Sequence, residues 1–339
     1  MKACLLQSGA GIAGLHMAEL LVRNPEPHEI RVQMKSAALN SRDLSFARGQ
    51  FPNPAAHPIV PLADGYGVVI AAGQEVSRFK TGDCVITSYY PFWTDGAITA
   101  EKTAGSFGAQ FNGTLAEEIV ADANHFVMAP RGLTSAAAAT LSCAGLTAWN
   151  ALFVAGNAPP GARVLLLGTG GVSTWALQLA KAAGMYAIVT SSQDEKLERS
   201  RALGADATIN YRNHPDWQNE VLRITDGAGV DLVVEVGGEG TLARSLKSAA
   251  IGGTVVVVGR VTGGGAVAIE PGMLIGGAKR LTGITAGSRQ MLEDLVRFVD
   301  INRINPVIDK VFSIDQARAA YEYMATSKHF GKIVIQISA

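Results

Sequence analysis

The stretch RVLLLGTGGVS at residues 163–173 constrains this chain more than any other. An apolar run, 164–167, reads as a buried strand. Gly168, Gly170 and Gly171 follow, and from Val172 onward TWALQLAKAAG has a helical pattern. Strand, glycine turn and helix form the layout that holds the pyrophosphate of a dinucleotide. Glycine serves two needs there. The chain must turn sharply, and phosphate oxygens must come close to backbone N–H groups at a helix N-terminus. The fingerprint has Gly or Ala where this chain has Ser173, a residue still small enough to keep helix and strand close.

Composition narrows the setting. The chain has 339 residues, which predicts about two domains, and 48% of them are hydrophobic, enough for substantial cores. The formal net charge is zero, so nothing marks nucleic acid as a partner. Cys4, Cys84 and Cys143 are far apart and odd in number, which argues against a disulfide framework and for a reducing compartment. The N-terminal apolar run is broken by Gln7, Ser8 and glycines. It reads as two short strands around a turn rather than a signal peptide. No run reaches about 18 consecutive apolar residues, so no membrane span is expected and the location is taken as cytoplasmic.

Residues 1 to about 125 read as mostly β, with short apolar runs between turn residues such as Lys80-Thr81-Gly82-Asp83. This spacing suits a barrel or sandwich. The segment 91–113 is polar and glycine-rich and reads as a long surface loop, a candidate lid. SAAAATLSCAGLTAWNAL then reads as helix, and Pro159-Pro160-Gly161 stops the chain ahead of the glycine motif. Strands and helices alternate from there: strands at 164–167, 186–190, 207–209, 230–235, 254–258 and 280–284, helices between most of them. Continuous apolar strands alternating with helices predict a doubly wound parallel sheet. The tail reads as two helices and a strand at 332–337.

The coenzyme is chosen at the end of the second strand. An NAD site places an acid there, roughly 20 residues after the glycines, to bind the ribose 2′-OH. This chain has Thr190-Ser191-Ser192, with Lys196 one turn downstream and Tyr211 after the third strand. Hydroxyls and an ammonium suit a 2′-phosphate, so NADP is expected, with NAD as the alternative. The serines are equally suited to capping the helix that follows. Val236 and Gly237 follow the fourth strand, Gly259 and Arg260 the fifth. Such positions either let backbone approach the nicotinamide half or are ordinary loop glycines.

The motifs LNSRD (39–43), FKTGDCV (79–85), LSCAGLTAW (141–149), LLLGTGGVS (165–173), VDLVVEVGG (230–238) and HFGKIVI (329–335) together resemble the medium-chain dehydrogenase/reductase superfamily over nearly the whole chain. The resemblance implies a GroES-like β-barrel domain, residues 1–130 completed by 287–339, and a Rossmann coenzyme domain, 131–286. It also implies a homodimer and places Thr147 near the nicotinamide. In the zinc-dependent branch a Cys, a His and a second Cys hold the metal. Their places here are Asn40, Ala63 and Cys143, and one thiolate does not make a zinc site. The chain therefore resembles the zinc-free branch, which implies no metal and a small carbonyl substrate: a quinone, an enone or an aldehyde. A metal-free alcohol dehydrogenase and a nucleotide-binding protein with little turnover are the alternatives. Asn40 with Asp43 is the candidate contact to the developing oxyanion, against the simpler role of stabilising a turn. Tyr90 is a candidate proton donor. Phe51, Tyr90, Phe92 and Trp93 are candidates to line a cleft between the domains. Cys143 reads better as an inert buried thiol than as a nucleophile.

Overall fold

The computed structural model of the chain describes residues 1–263 and 265–338. It divides into two compact units, Met1–Leu146 with Gly287–Ala339, and Thr147–Ala286. The first division falls inside helical backbone, whereas the family resemblance implied a boundary after residue 130.

The second unit holds a six-stranded parallel sheet. Its strands are β1 (Arg163–Leu167), β2 (Tyr186–Ser191), β3 (Ala207–Asn210), β4 (Val230–Glu235), β5 (Ala249–Val257) and β6 (Arg280–Gly283). They lie in the order β3-β2-β1-β4-β5-β6. That is the doubly wound order, with the chain reversing direction between β1 and β4. The helices α1 (Gly171–Ala182), α2 (Asp194–Ala202), α3 (Trp217–Ile224) and α4 (Leu242–Ser248) make the crossovers. Leu165, Ile188, Val233 and Val255 from four adjacent strands bury fully against Leu246 and Trp217. At roughly 1.5–3 kcal/mol per fully buried aliphatic side chain, this layer carries much of the unit's stability. It also explains why the strands read as unbroken apolar runs.

The first unit is built on the strand Glu29–Ala38, which pairs antiparallel with Asp64–Ala72, with Glu118–Asp122 and with Lys332–Gln336. The last of these comes from the far end of the chain, which returns after residue 287 to complete this sheet. Lys2–Leu5 and His16–Glu19 form the expected N-terminal pair, Lys2 opposite Glu19. The 91–113 segment is exposed over residues 95–101 but packs closely near its C-terminal end. Cβ atoms added at Gly108 or Gly113 would meet the Leu62 backbone at 2.5 and 2.0 Å.

One helical stretch departs from expectation. Ser135–Val154 is long and apolar enough to cross a membrane by length and composition, but 78% of its most apolar 18-residue window is buried within the protein. It contains two π-helical turns, Leu141–Gly145 and Asn150–Val154. Its apolarity is that of a core helix.

Candidate active site

The glycine turn lies at the C-terminal end of β1. Gly168 has φ +74°, a conformation that favours glycine. A Cβ at Gly168 or at Gly170 would meet nothing within 4 Å, so the protein itself leaves this space open. No side chain caps α1 at Gly170. The first amides of the helix therefore face that space with the positive end of the helix dipole behind them. Ser173 does more than stay small: its Oγ donates to Leu167 O at 2.7 Å and ties helix to strand. Gly171 and Val172 begin the helix. A pyrophosphate fits this cradle.

The other coenzyme candidates line the same sheet edge. Gly168 N–H donates to Thr190 Oγ1 at 3.3 Å, which ties the turn to the end of β2. Ser191 ends that strand, buried, and its carbonyl accepts from Tyr211 N–H at 3.0 Å. Ser192 is half-buried, Lys196 is buried in the first turn of α2, and the Tyr211 ring is 41% exposed. Ser191 Oγ also accepts from Gln193 N–H at 3.4 Å, a weak start to the helix. The nearby acid, Asp194, accepts from Asn210 Nδ2 at 2.7 Å. Thr147 is buried in the helical stretch described above.

The loops after β4 and β5 have a structural cause that sequence reasoning missed. Glu235 is fully buried. Its Oε1 accepts from Gly237 N–H at 2.7 Å, Gly238 N–H at 2.9 Å and Thr241 Oγ at 2.7 Å, and its Oε2 accepts from Ser245 Oγ. The amide of Gly237 is thus committed to a carboxylate of the protein. Val261 N–H donates to Val236 O at 3.0 Å, and a Cβ at Gly259 would sit 3.0 Å from that oxygen. A Cβ at Gly238 would sit 3.2 Å from Arg260 Cα. These glycines let two loops touch. Arg260 itself is exposed.

In the first unit a second polar cluster surrounds Asn40. Asp43, on the helix Ser41–Ala47, reaches back to accept from Asn40 N–H at 2.7 Å. Asn40 Nδ2 donates to Asp64 Oδ2 at 3.0 Å. Lys332 then completes the group. Its Nζ donates to Asn40 Oδ1 at 2.5 Å and Leu39 O at 2.6 Å, and lies 3.4 Å from Asp64 Oδ2. Lys332 is 2% exposed and Asp64 not at all. Both ends of the Asn40 amide are therefore engaged, and Asn40 links a buried ammonium to a buried carboxylate. Sequence reasoning passed over Lys332. Its signal was a lysine heading the apolar strand KIVIQ, where burial leaves a charge in need of partners. Tyr90 stands edge-on to Tyr89, ring centroids 4.7 Å apart, and is half-buried.

Burial pushes the carboxyl of Asp43 up to about 6, partly opposed by the Arg42 guanidinium and the Asn40 amide. Burial likewise raises Asp64, against the pull of Lys332, and pushes the Cys143 thiol well above its usual range. A protonated thiol is a poor nucleophile. The Asp43 shift fixes a sign. Unfolded Asp titrates near 3.9, so the folded protein binds this proton more tightly. The resulting stability is complete below about pH 4 and is lost as pH rises through 6. Asp43→Asn, which stays neutral, should gain on the wild type by roughly 2 kcal/mol between pH 4 and pH 7. Urea denaturation of both proteins at the two pH values measures it, and parallel pH profiles would contradict the shift.

Among the described residues no group of three or more His, Cys, Asp or Glu side chains could hold a metal ion. The donors around Asn40 do not fit zinc: the ammonium of Lys332 already sits against the oxygens of Asn40 and Asp64.

Comparison with known proteins adds the following. A family model described as alcohol dehydrogenase GroES-like domain matches residues 26–131, and one described as zinc-binding dehydrogenase matches 171–300. A zinc-type alcohol dehydrogenase-like protein of Schizosaccharomyces pombe is 41% identical over 316 residues, covering 92% of this chain and 91% of that one. The crystal structure of an NAD-dependent alcohol dehydrogenase is similar with a TM-score of 0.91 at 32% identity, over 100% of both chains. A quinone oxidoreductase of Pseudomonas syringae pv. Tomato is similar with a TM-score of 0.83 at 28% identity, over 99% of both.

Proposed function

The chain belongs to the medium-chain dehydrogenase/reductase superfamily and is an NAD(P)-dependent oxidoreductase, and from that premise we propose that it is a zinc-independent, NADP(H)-dependent reductase of small conjugated carbonyl compounds. The observation that carries the zinc-independent reading is Lys332, whose ammonium lies 2.5 Å from Asn40 Oδ1 and 3.4 Å from Asp64 Oδ2. A built-in cation stands where the metal branch of the family would need ligands. Without a Lewis acid on the carbonyl, the easier acceptor is an electron-poor carbon conjugated to oxygen, as in a quinone or enone.

The bound coenzyme supplies the hydride; the chain's residues bind and aim it. Gly168, Gly170 and the first turn of α1 take the pyrophosphate. Ser191, Ser192, Lys196 and Tyr211 form the 2′-phosphate side, where a carboxylate at position 191 would repel that group. Asn40 and Asp43 hold the Lys332–Asp64 pair in place, and so act as positioning residues. A homodimer formed through the coenzyme domain is proposed on the family resemblance alone.

The test is oxidation of NADPH and NADH against a panel of quinones, enones and simple aldehydes, with metal analysis of the same sample. NADPH oxidation with enones or quinones after exhaustive chelation is the expected result. Stoichiometric zinc whose removal abolishes activity would end the zinc-independent reading. Lys196→Ala should weaken NADPH binding about 10-fold and NADH far less, as expected for losing one charge-assisted contact to phosphate. Equal weakening of both would remove the 2′-phosphate assignment.

A further inference from the structure

The polar cluster contains one group whose donors are unused. Arg42 lies one residue before Asp43, and its side chain is 9% exposed. Its Nε, Nη1 and Nη2 are all buried without a hydrogen-bond partner. The guanidinium carbon is 4.7 Å from the centroid of the Phe51 ring and 4.9 Å from that of Tyr89. Asp43 Oδ1 stands 3.9 Å from Nε, beyond hydrogen-bond reach. Two aromatic rings and an offset carboxylate therefore hold the cation in place without using its N–H groups. A guanidinium stays charged in any protein environment, and five donors left idle in a desolvated site are costly unless something else uses them.

The neighbouring donors are not available. Lys332 is engaged by three oxygens, and the Asn40 amide is engaged at both ends. Cys143 and Tyr90 are within electrostatic reach of Arg42, and both are only partly buried, as is Phe51.

We propose that Arg42 is the catalytic electrophile of this site and does the work a metal does in the zinc-dependent branch. It donates to the carbonyl oxygen of the substrate as negative charge gathers there. This rests on the carbonyl-reducing activity proposed above. The coenzyme, when bound, would supply hydride with its electron pair to the electron-poor carbon and be left oxidised. The Arg42 N–H groups would hold the enolate or phenolate oxygen onto which the π pair shifts, and a proton from solvent water would complete the two-electron reduction. Donors aimed at such an oxygen in a dry site are among the strongest contributors to catalysis.

Two measurements test this. In NADPH oxidation with an enone, Arg42→Gln should lower kcat by about 100- to 1000-fold. KM for the enone should change little, and Arg42→Lys should recover part of the rate. The second readout needs no turnover. The 4-nitrophenolate ion mimics the developing oxyanion, so the wild type with NADP should bind it and draw 4-nitrophenol toward its yellow ionised form; Arg42→Gln should not. Binding of 4-nitrophenolate through Arg42 with no turnover on any carbonyl would sink the proposed activity and leave this site standing. Three results would overturn the Arg42 role itself. One is an unchanged kcat in Arg42→Gln. Another is nitrophenolate binding indifferent to the substitution. The third is a loss confined to KM for enones that carry a carboxylate, which would make Arg42 a substrate anchor.

Discussion

Lys332→Met should destabilise the first unit by about 3–5 kcal/mol, the range for removing one partner of a buried ion pair. Methionine fills nearly the same volume, so the effect is electrostatic rather than a cavity. The substitution strands Asp64, which is fully buried, with a charge no longer opposed by the ammonium. It also leaves Leu39 O and Asn40 Oδ1 without the donor at 2.6 and 2.5 Å. Each buried acceptor so orphaned costs about 1–3 kcal/mol. Water entering the gap, or protonation of Asp64, would recover part of this, which is why the sum is not simply additive. The Lys332→Met/Asp64→Leu double variant should be more stable than Lys332→Met alone, because it removes the stranded charge. Chemical denaturation of the wild type, both single variants and the double variant measures the coupling. Independent, additive effects would mean that the ammonium and the carboxylate do not act as a pair.

That cluster shows where sequence reading stops. The glycine turn was legible because strand, turn and helix are consecutive and their periodicities change within a dozen residues. The alternation after it revealed the parallel sheet for the same reason. Lys332 and Asn40 are 292 residues apart, and nothing local to either one predicts the other. Family resemblance marked Asn40 as standing where a zinc ligand would be. It did not reveal that the Asn40 amide is engaged at both ends, the observation behind the positioning role proposed for it. Glu235 ends an apolar strand just before two glycines. The glycines read either as ligand-facing or as ordinary loop glycines, and the amides of Gly237 and Gly238 turn inward onto that carboxylate. The apolar helix Ser135–Val154 is legible as helix, and its Thr, Ser and Asn residues break the apolar run that would mark a membrane span. Its polar residues are tolerated because they too are packed in protein: Thr140 Oγ donates to Ala137 O at 2.7 Å, and Asn150 Nδ2 donates to Ala286 O at 2.7 Å.

Gly170→Val should leave the protein as stable as the wild type and lower its affinity for NADPH by about 100-fold or more, the equivalent of losing one or two charge-assisted hydrogen bonds. The two halves of this expectation have separate causes. Gly170 has φ −77° and ψ −174°, extended backbone that a β-branched residue adopts readily. A Cβ there meets no protein atom within 4 Å. No strain and no clash follow, so the fold should not register the change. What the side chain occupies is the open space in front of the first amides of α1, where the pyrophosphate is proposed to lie. Gly168→Val provides the contrast. Its φ of +74° would strain a valine by about 1–3 kcal/mol, so stability and affinity should fall together. Gly238→Val differs again, because its Cβ would press on Arg260 Cα at 3.2 Å and its φ is +88°; most of its effect should be on folding. Calorimetric titration with NADPH beside thermal melts of the three variants separates these cases. A well-folded Gly170→Val protein that binds NADPH as tightly as the wild type would show that the diphosphate lies elsewhere, since that side chain can act on nothing but the space in front of α1.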